Sequence, residues 1–530
     1  MSELFINIKA IKNMQAEFDQ TSEKVRRERA EQAAKKFTVW PHIIPIRSIH
    51  DYNSDISKGP NYADKPSGIY HPLTSEYIVP DPTEWAVIDS LTTPQDIHQL
   101  KSSTKLDDKS VRGAVAELSS LHILTPEGQD LRLKMEPDLS ETEMYLSVTE
   151  ACNFGCKGCA TAIDRFPKGM ARTMDRETME ILLKNAARSA VEKGVTKMRV
   201  KWAGGEPLMP KPFGAILNGQ NLIDELRERY PSLEITQAIL TNGSYLTPEN
   251  IDSLSQMNAH VAVSLWGLGK ENDEERSVKR ERDSFNAIAS GLRLLHESRI
   301  PYNINHVLTP SNADKFPEFV EAFWEIESEN FLGNDWNWPD GKSPIPLNVS
   351  FFRPQTIAQI EALNTHGYEQ ILKGLRGGFA KIHELIQRGI PLPPLDEIDY
   401  LQLNKPLPAT CGSGIGSYFA AGSSGVASCH EGLFGMPGNI GEMNNRNMLD
   451  LANAEYDGRQ NLLLGQNIIF NGIDATTALA LSHHGGSGCP RTSRVENGGN
   501  LGNSASIAEK LYAPILPELL ALEMQRRMTM

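Results

Sequence analysis

Cysteine is scarce, with six in 530 residues, too few for a disulfide scaffold. No apolar run approaches the roughly 20 residues that a membrane-spanning helix needs. The opening residues MSELFINIKAIKNMQAEFDQ lack a continuous apolar segment with a small-residue cleavage site, so no secretory signal is read there. Positive charge is not in excess either. The net charge of −14 argues against bulk binding to nucleic acid or anionic membranes, though not against a local basic groove. The expectation is a cytoplasmic protein with no nucleic-acid and no membrane partner. Apolar and charged fractions of 40% and 23% are ordinary for a folded chain, and the length implies two to four domains.

The few cysteines present are grouped. Cys152, Cys156 and Cys159 lie within CNFGCKGC, while Cys411, Cys429 and Cys489 are spread through the last quarter of the chain. Two groups of thiols without an export signal suggest metal in a reducing compartment. Buried structural cysteine is the alternative, with more weight for the second group.

Four regions emerge along the chain. Residues 1–63 read as an N-terminal extension with a charge-rich helical stretch at 21–37 and a linker-like composition at 54–68. Residues 64–135 read as strand–strand–helix–helix–helix, the order of a winged-helix-like unit. Asp81 or Thr83 caps the first helix, and Val111, Val115, Leu118 and Leu121 recur at helical spacing in the third. A DNA-reading unit of this kind should be basic along its third helix, but residues 81–128 carry more acids than bases. Residues 136–395 alternate strand and helix six times, with strands near 144–152, 196–207, 234–243, 260–267, 302–309 and 347–354. Such alternation implies a parallel sheet with right-handed crossovers. The expected fold is therefore α/β, a partial (β/α)6 TIM-like barrel, with chemistry at the C-terminal ends of its strands. Residues 396–530, rich in Gly, Ser and Asn, suit a loop-rich domain wrapped around a cluster.

Three cysteines at CxxxCxxC can hold three irons of a [4Fe–4S] cube, leaving the fourth iron without a protein ligand. A structural zinc site would close with a nearby fourth Cys or His, and no histidine follows until His260. With AGGEP (203–207) after the second strand, TNG (241–243) after the third and Ser264 on the fourth, the chain resembles the radical S-adenosylmethionine (SAM) superfamily over about 141–395. That resemblance implies that SAM binds the open iron and is cleaved by an electron to methionine and a 5′-deoxyadenosyl radical, which abstracts a substrate hydrogen. It further implies that Gly204 and Gly205 let backbone approach the SAM amino group, with Glu206 as charge partner. Ser264, Asn305 and Arg353 are its candidate contacts to SAM or substrate. Asp273 and Arg276 fit a family pattern after strand four, or are surface charge. Two departures stand out: Gly158 where many members carry an aromatic residue, with Phe154 earlier instead, and Trp266 where related peptide-modifying enzymes often show Asp.

Cys411, Cys429 and Cys489 resemble the C-terminal SPASM extension or its shortened twitch form, which implies one auxiliary [4Fe–4S] cluster. His430, His483 and His484 are candidates for its fourth ligand. The rival is that one of these cysteines donates hydrogen to a substrate radical. Residues 64–135 resemble the RiPP recognition element, which captures the leader of a ribosomal precursor peptide as an added edge strand. Together these resemblances imply a radical SAM maturase of a ribosomally synthesised precursor peptide, acting by crosslinking, epimerisation, dehydrogenation or backbone excision. An electron donor such as flavodoxin or ferredoxin would serve it. The alternatives are a radical SAM dehydrogenase of a small molecule, a maturase of a folded protein and, less favoured, a DNA-binding iron–sulfur regulator.

Overall fold

The computed structural model describes residues 36–128, 140–157, 159, 172–278, 283–329, 346–354, 357–390, 392, 395, 401, 403, 418–422, 425–427, 429, 473–484 and 507–529. Cys411, Cys489, His430 and Gly158 lie outside the described residues.

Part of the stretch read as an N-terminal extension supplies strands: β1 (Phe37–Val39), β2 (Ile44–Ile46), β3 (Ile49–Tyr52) and β4 (Pro60–Tyr62). After these come β5 (Gly68–His71), β6 (Glu76–Ile78), helices α1 (Pro82–Ser90), α2 (Ile97–Thr104) and α3 (Asp108–Ser120), and β7 (Leu124–Pro126). Strand β1 pairs with β7, and β2 pairs with β5, which pairs with β6. Asp81 caps α1 and Asp96 caps α2, each in a capping box with Glu84 or Gln99 three residues on. Val111, Val115 and Leu118 of α3 close a separate apolar core with Phe37 and Ile69. Residues 37–39 thus belong to the same small core as the three helices.

The central unit follows the alternation. Its strands are β8 (Glu141–Thr149), then, after β9 (Phe154–Cys156) and α4 (Arg176–Glu192), β10 (Lys197–Gly204). Next come α5 (Pro210–Arg229), β11 (Glu234–Thr241), α6 (Pro248–Gln256) and β12 (His260–Ser264). Beyond α7 (Lys270–Glu275), β13 (Arg276–Val278) and α8 (Ser284–Glu297) lie β14 (Tyr302–Leu308), α9 (Phe316–Glu329) and β15 (Leu347–Phe351). Strands β8, β10, β11, β12, β14 and β15 are neighbours in that order and all parallel, the sheet of a partial (β/α)6 barrel. Alternate residues on each strand, such as Met144, Val200, Ile239, Val263 and Ile304, enter the core under the helices. The residues between them form the inner face.

Helices α10 (Ile357–Ala362) and α11 (Tyr368–Gln387) follow, then β16 (Tyr418–Gly422), β17 (Gly425–Ala427), α12 (Ala475–His483) and α13 (Ala513–Thr529). The hairpin β16–β17 extends the sheet beyond β8, with β16 parallel to it. Ala420 and Ala427 of the hairpin pack with Tyr145, Ala203 and Leu240 in a small inner-face cluster. None of the described helices is long and apolar enough to cross a membrane.

Candidate functional site

The CxxxCxxC segment begins where β8 ends, and two other motifs hold it there. The Gly205 amide donates to Thr149 O at 2.7 Å, and the Glu206 amide donates to Ala151 O at 2.9 Å. Both glycines are required by this approach. A Cβ on Gly204 would lie 2.2 Å from Thr149 O, and one on Gly205 only 2.0 Å from Ala151 O. Gly204 also has φ +129°, a backbone region that side chains disfavour. The glycines of AGGEP therefore let its backbone reach the cysteine loop.

Glu206 is fully buried and joins AGGEP to TNG. Its carboxylate accepts from Thr241 Oγ1 at 2.7 Å, from the Asn242 amide at 2.7 Å and from the Leu208 amide at 2.9 Å. Burial raises its carboxyl pKa, while these donors and the Arg276 charge pull it back down. Asn242 Nδ2 in turn donates to Asn153 Oδ1 at 2.8 Å and lies 3.9 Å from Cys152 Sγ, and Asn153 Nδ2 donates to Ser244 Oγ at 2.9 Å. One network thus ties the ends of β8, β10 and β11 together. Glu206 is a structural tie in it.

Cys152, Cys156 and Cys159 are half-buried thiols. Burial first, and the Glu206 charge second, push the Cys152 thiol up to about 12. Such a thiol ionises against a bound cation, which iron supplies. Three thiolates can each take a separate iron of a cube, so this donor set fits a [4Fe–4S] cluster.

The two departures from the family pattern meet at one residue. Strand β9 pairs antiparallel with β13, setting Cys156 opposite Arg276. The buried Arg276 guanidinium lies 5.4 Å from the ring centres of both Phe154 and Trp266, a cation–π arrangement. It donates to Ser264 O, and its Nε is buried without a partner among the described residues. Asp273 instead accepts from Ser284 Oγ at 2.6 Å and from the Phe285 amide at 2.8 Å, holding the start of α8. The structure brings Arg276 to the cysteines and leaves Asp273 in a supporting role.

Sequence reasoning missed the groups that brace this loop. Glu275 is buried, accepts from Ser311 Oγ at 2.7 Å and Thr309 Oγ1 at 3.4 Å, and pairs with Lys157 at 3.3 Å. Asn312 Nδ2 donates to Trp266 O at 2.9 Å. In NDEER, three acids side by side read as solvated charge. No local signal marked Glu275 as buried, because its partners Thr309 and Ser311 come from beyond β14.

Ser264 and Asn305 face the inner side of the sheet, paired across β12 and β14. Arg353 lies two residues beyond β15, at the same end of the sheet. Cys429 is half-buried, two residues beyond β17. Burial, then Cys159 and more weakly Cys429, push the Tyr145 hydroxyl upward, so both sulfurs are within electrostatic reach of this inner-face residue. His484 is buried, with Nε2 lying 2.7 Å from Pro72 O and 2.9 Å from Tyr70 Oη. That nitrogen is committed to the N-terminal unit, while the His483 side chain lies outside the described residues.

Residues 146–323 match the Radical SAM superfamily. The chain is 27% identical over 187 residues to a serine-type anaerobic sulfatase-maturating enzyme of Bacteroides thetaiotaomicron, covering 35% of this chain and 43% of that protein. It is 25% identical over 221 residues to the radical SAM cyclopropyl synthase TigE of Paramaledivibacter caminithermalis, covering 40% and 42%. It is also 32% identical over 202 residues to a GTP 3′,8-cyclase of Xanthomonas campestris pv. campestris, covering 36% and 56%. The chain thus spans roughly half the length of these curated relatives. In overall fold it is similar to native anSMEcpe solved with bound AdoMet and Kp18Cys peptide, with TM-score 0.51 and 15% identity over 72% of this chain and 99% of that one.

Proposed function

We propose, from the match of residues 146–323 to the Radical SAM superfamily, that the chain is an enzyme modifying a ribosomally synthesised precursor peptide. Cys152, Cys156 and Cys159 would hold the SAM-binding cluster. Held there, cluster and SAM would supply the radical chemistry that opens a substrate C–H bond. The chain's own residues build the surroundings. AGGEP and TNG fix the cysteine loop, Glu275 and Asn312 brace the loop after β12, and Arg276 offers a buried positive charge beside the cysteines. Cys411, Cys429 and Cys489 would carry an auxiliary cluster or hold a hydrogen donor.

The single observation carrying this reading is the network through Glu206, which gathers AGGEP, TNG and the cysteine loop at the C-terminal ends of three adjacent strands. Two relatives whose names describe maturation and cyclopropyl synthesis support it. For leader capture, β6 is one of the two outer strands of its three-stranded sheet, and Val79 just beyond it is 55% exposed.

The test is anaerobic reconstitution with iron and sulfide counted. About eight irons in the wild type, falling to about four in Cys152/Cys156/Cys159→Ala, is the expected result for two [4Fe–4S] clusters. Four falling to none would remove the auxiliary cluster and favour a hydrogen-donor cysteine. No 5′-deoxyadenosine from the wild type with SAM and reductant would overturn the reading. A small-molecule substrate is the second reading, favoured by the GTP 3′,8-cyclase similarity. The two separate on Val79→Asp, assayed with peptides encoded by small reading frames beside the gene. Peptide turnover should fall while substrate-free SAM cleavage is unchanged, whereas a small-molecule enzyme would turn over no peptide in either form.

A further inference from the structure

The inner face of the sheet carries a hydrogen-bonded row of side chains across β12, β14 and β15. His260 Nε2 donates to Asn303 Oδ1 at 2.7 Å. Asn303 Nδ2 donates to Asn305 Oδ1 at 2.9 Å, and Asn348 Nδ2 donates to the same oxygen at 3.2 Å. The alternation on these strands fixes their direction. Val261, Val263, Tyr302, Ile304, Leu347 and Val349 fill the core beneath the helices, so the residues between them turn to the other side.

Because Asn305 Oδ1 accepts two donors, the polarity of the row is set. Asn303 and Asn348 each use one of their two N–H groups within the row, and Asn348 Oδ1 is left as a buried acceptor with no partner among the described residues. A buried carbonyl oxygen without a donor is costly, by about 1–3 kcal/mol. Asn305 and Asn348 are nevertheless only half-buried as residues, whereas the core positions beside them are 1–9% exposed. These two residues of the row are thus more open than the core positions beside them, although Asn348 Oδ1 itself is covered. The row is also uncharged: burial holds His260 below its usual pKa. The cations deeper on the same face, Lys201 and Arg199, sit 2.6 and 3.9 Å from Glu143.

We propose that this asparagine row reads the substrate, Asn348 Oδ1 accepting a hydrogen bond from an amide N–H of a peptide segment lying on the inner face. The inference rests on the peptide reading above and narrows it. A neutral acceptor at the end of an amide row complements peptide amides. A phosphate would leave that acceptor without a donor, and its charge would meet a neutral row, with Lys201 and Arg199 already beside Glu143.

The probes are a bead-bound library of N-acetylated, C-amidated hexapeptides, and GTP, offered to the full chain after anaerobic reconstitution. The wild type should retain a subset of the peptides. Asn348→Leu should lose at least ten-fold of that retention, and Asn348→Asp, which keeps an acceptor oxygen, should lose far less. Both variants should bind iron like the wild type. Equal retention by wild type and Asn348→Leu overturns the row's role while leaving a peptide substrate standing, and so do equal losses in Leu and Asp. Displacement of the peptides by GTP, or GTP binding that depends on Asn348, overturns the amide class in favour of a nucleotide. A wild type that retains no hexapeptide overturns both this inference and the peptide reading.

Discussion

At the scale of single residues, Gly205 and Glu206 decide whether the cysteine loop is held. Gly205→Ala places a carbon 2.0 Å from Ala151 O, so one of the two backbones must move. That change should cost about 2–4 kcal/mol of stability and the iron of the first cluster. Gly113→Ala is the control, because its added carbon would meet nothing within 4 Å. In the middle of α3 it should gain about 0.5–1 kcal/mol. Guanidinium denaturation with iron analysis reads both, and equal iron loading in the two variants would contradict the account. Glu206→Gln has a different signature. Its amide must turn a donor toward either the Asn242 amide or the Thr241–Leu208 side, leaving buried groups mismatched at about 1–3 kcal/mol. It also removes a negative charge that raises the Cys152 thiol. In the metal-free protein, alkylation of Cys152 by iodoacetamide should therefore set in at lower pH than in the wild type. An unchanged pH profile would mean that burial alone sets this thiol.

At the scale of elements, the hydroxyl of Tyr70 on β5 links the N-terminal unit to the last quarter of the chain. It donates to Leu403 O at 2.6 Å and lies 2.9 Å from His484 Nε2. Tyr70→Phe keeps the ring and should destabilise the protein by about 1–3 kcal/mol, measured by denaturant unfolding. A change below about 0.5 kcal/mol would show that other contacts carry this junction. Such links explain which elements could be read from the sequence. The six parallel strands were legible because each is a compact apolar run between helical segments, and β11, for instance, begins at Glu234 as expected. Pairings between distant segments were not. Phe37 of β1 meets Pro126 of β7 across almost ninety positions, and nothing local in FTV announces that partner. The hairpin at 418–427 lies in the region that reads as Gly-, Ser- and Asn-rich loop, yet β16 lies parallel beside β8. Alanine serves there because the facing position is filled by Tyr145. In the site, the cysteines, AGGEP and TNG were legible as motifs, but the bonds of Glu206 to Thr241 and Asn242 were not, since they depend on the two strand ends being neighbours.

At the scale of the whole molecule, the segment from β3 to β4 is clamped to the helices α11 and α13 by one buried ion pair. Arg376 Nε lies 2.6 Å from Glu518 Oε1, and the same guanidinium donates through Nη1 to Ser57 O. The Glu518 side chain is 1% exposed, and its second oxygen is buried without a partner among the described residues. Burial pushes its carboxyl up to about 7, against the opposing pull of Arg376. The sign follows from linkage. Between the unfolded value near 4.5 and the folded value near 7, the folded state holds more protons, so stability from this group is present below pH 4.5 and is lost as pH rises through 7. The loss is at most about 3.5 kcal/mol, since each pH unit between the two values contributes roughly 1.4 kcal/mol. Wild-type Tm should therefore fall between pH 5.5 and pH 8.5 relative to Glu518→Gln, whose amide does not titrate. If the two proteins show parallel Tm curves over that range, Glu518 is ionised throughout and the ion pair, with its desolvation offset by Arg376, holds the N-terminal strands to the helices independently of pH.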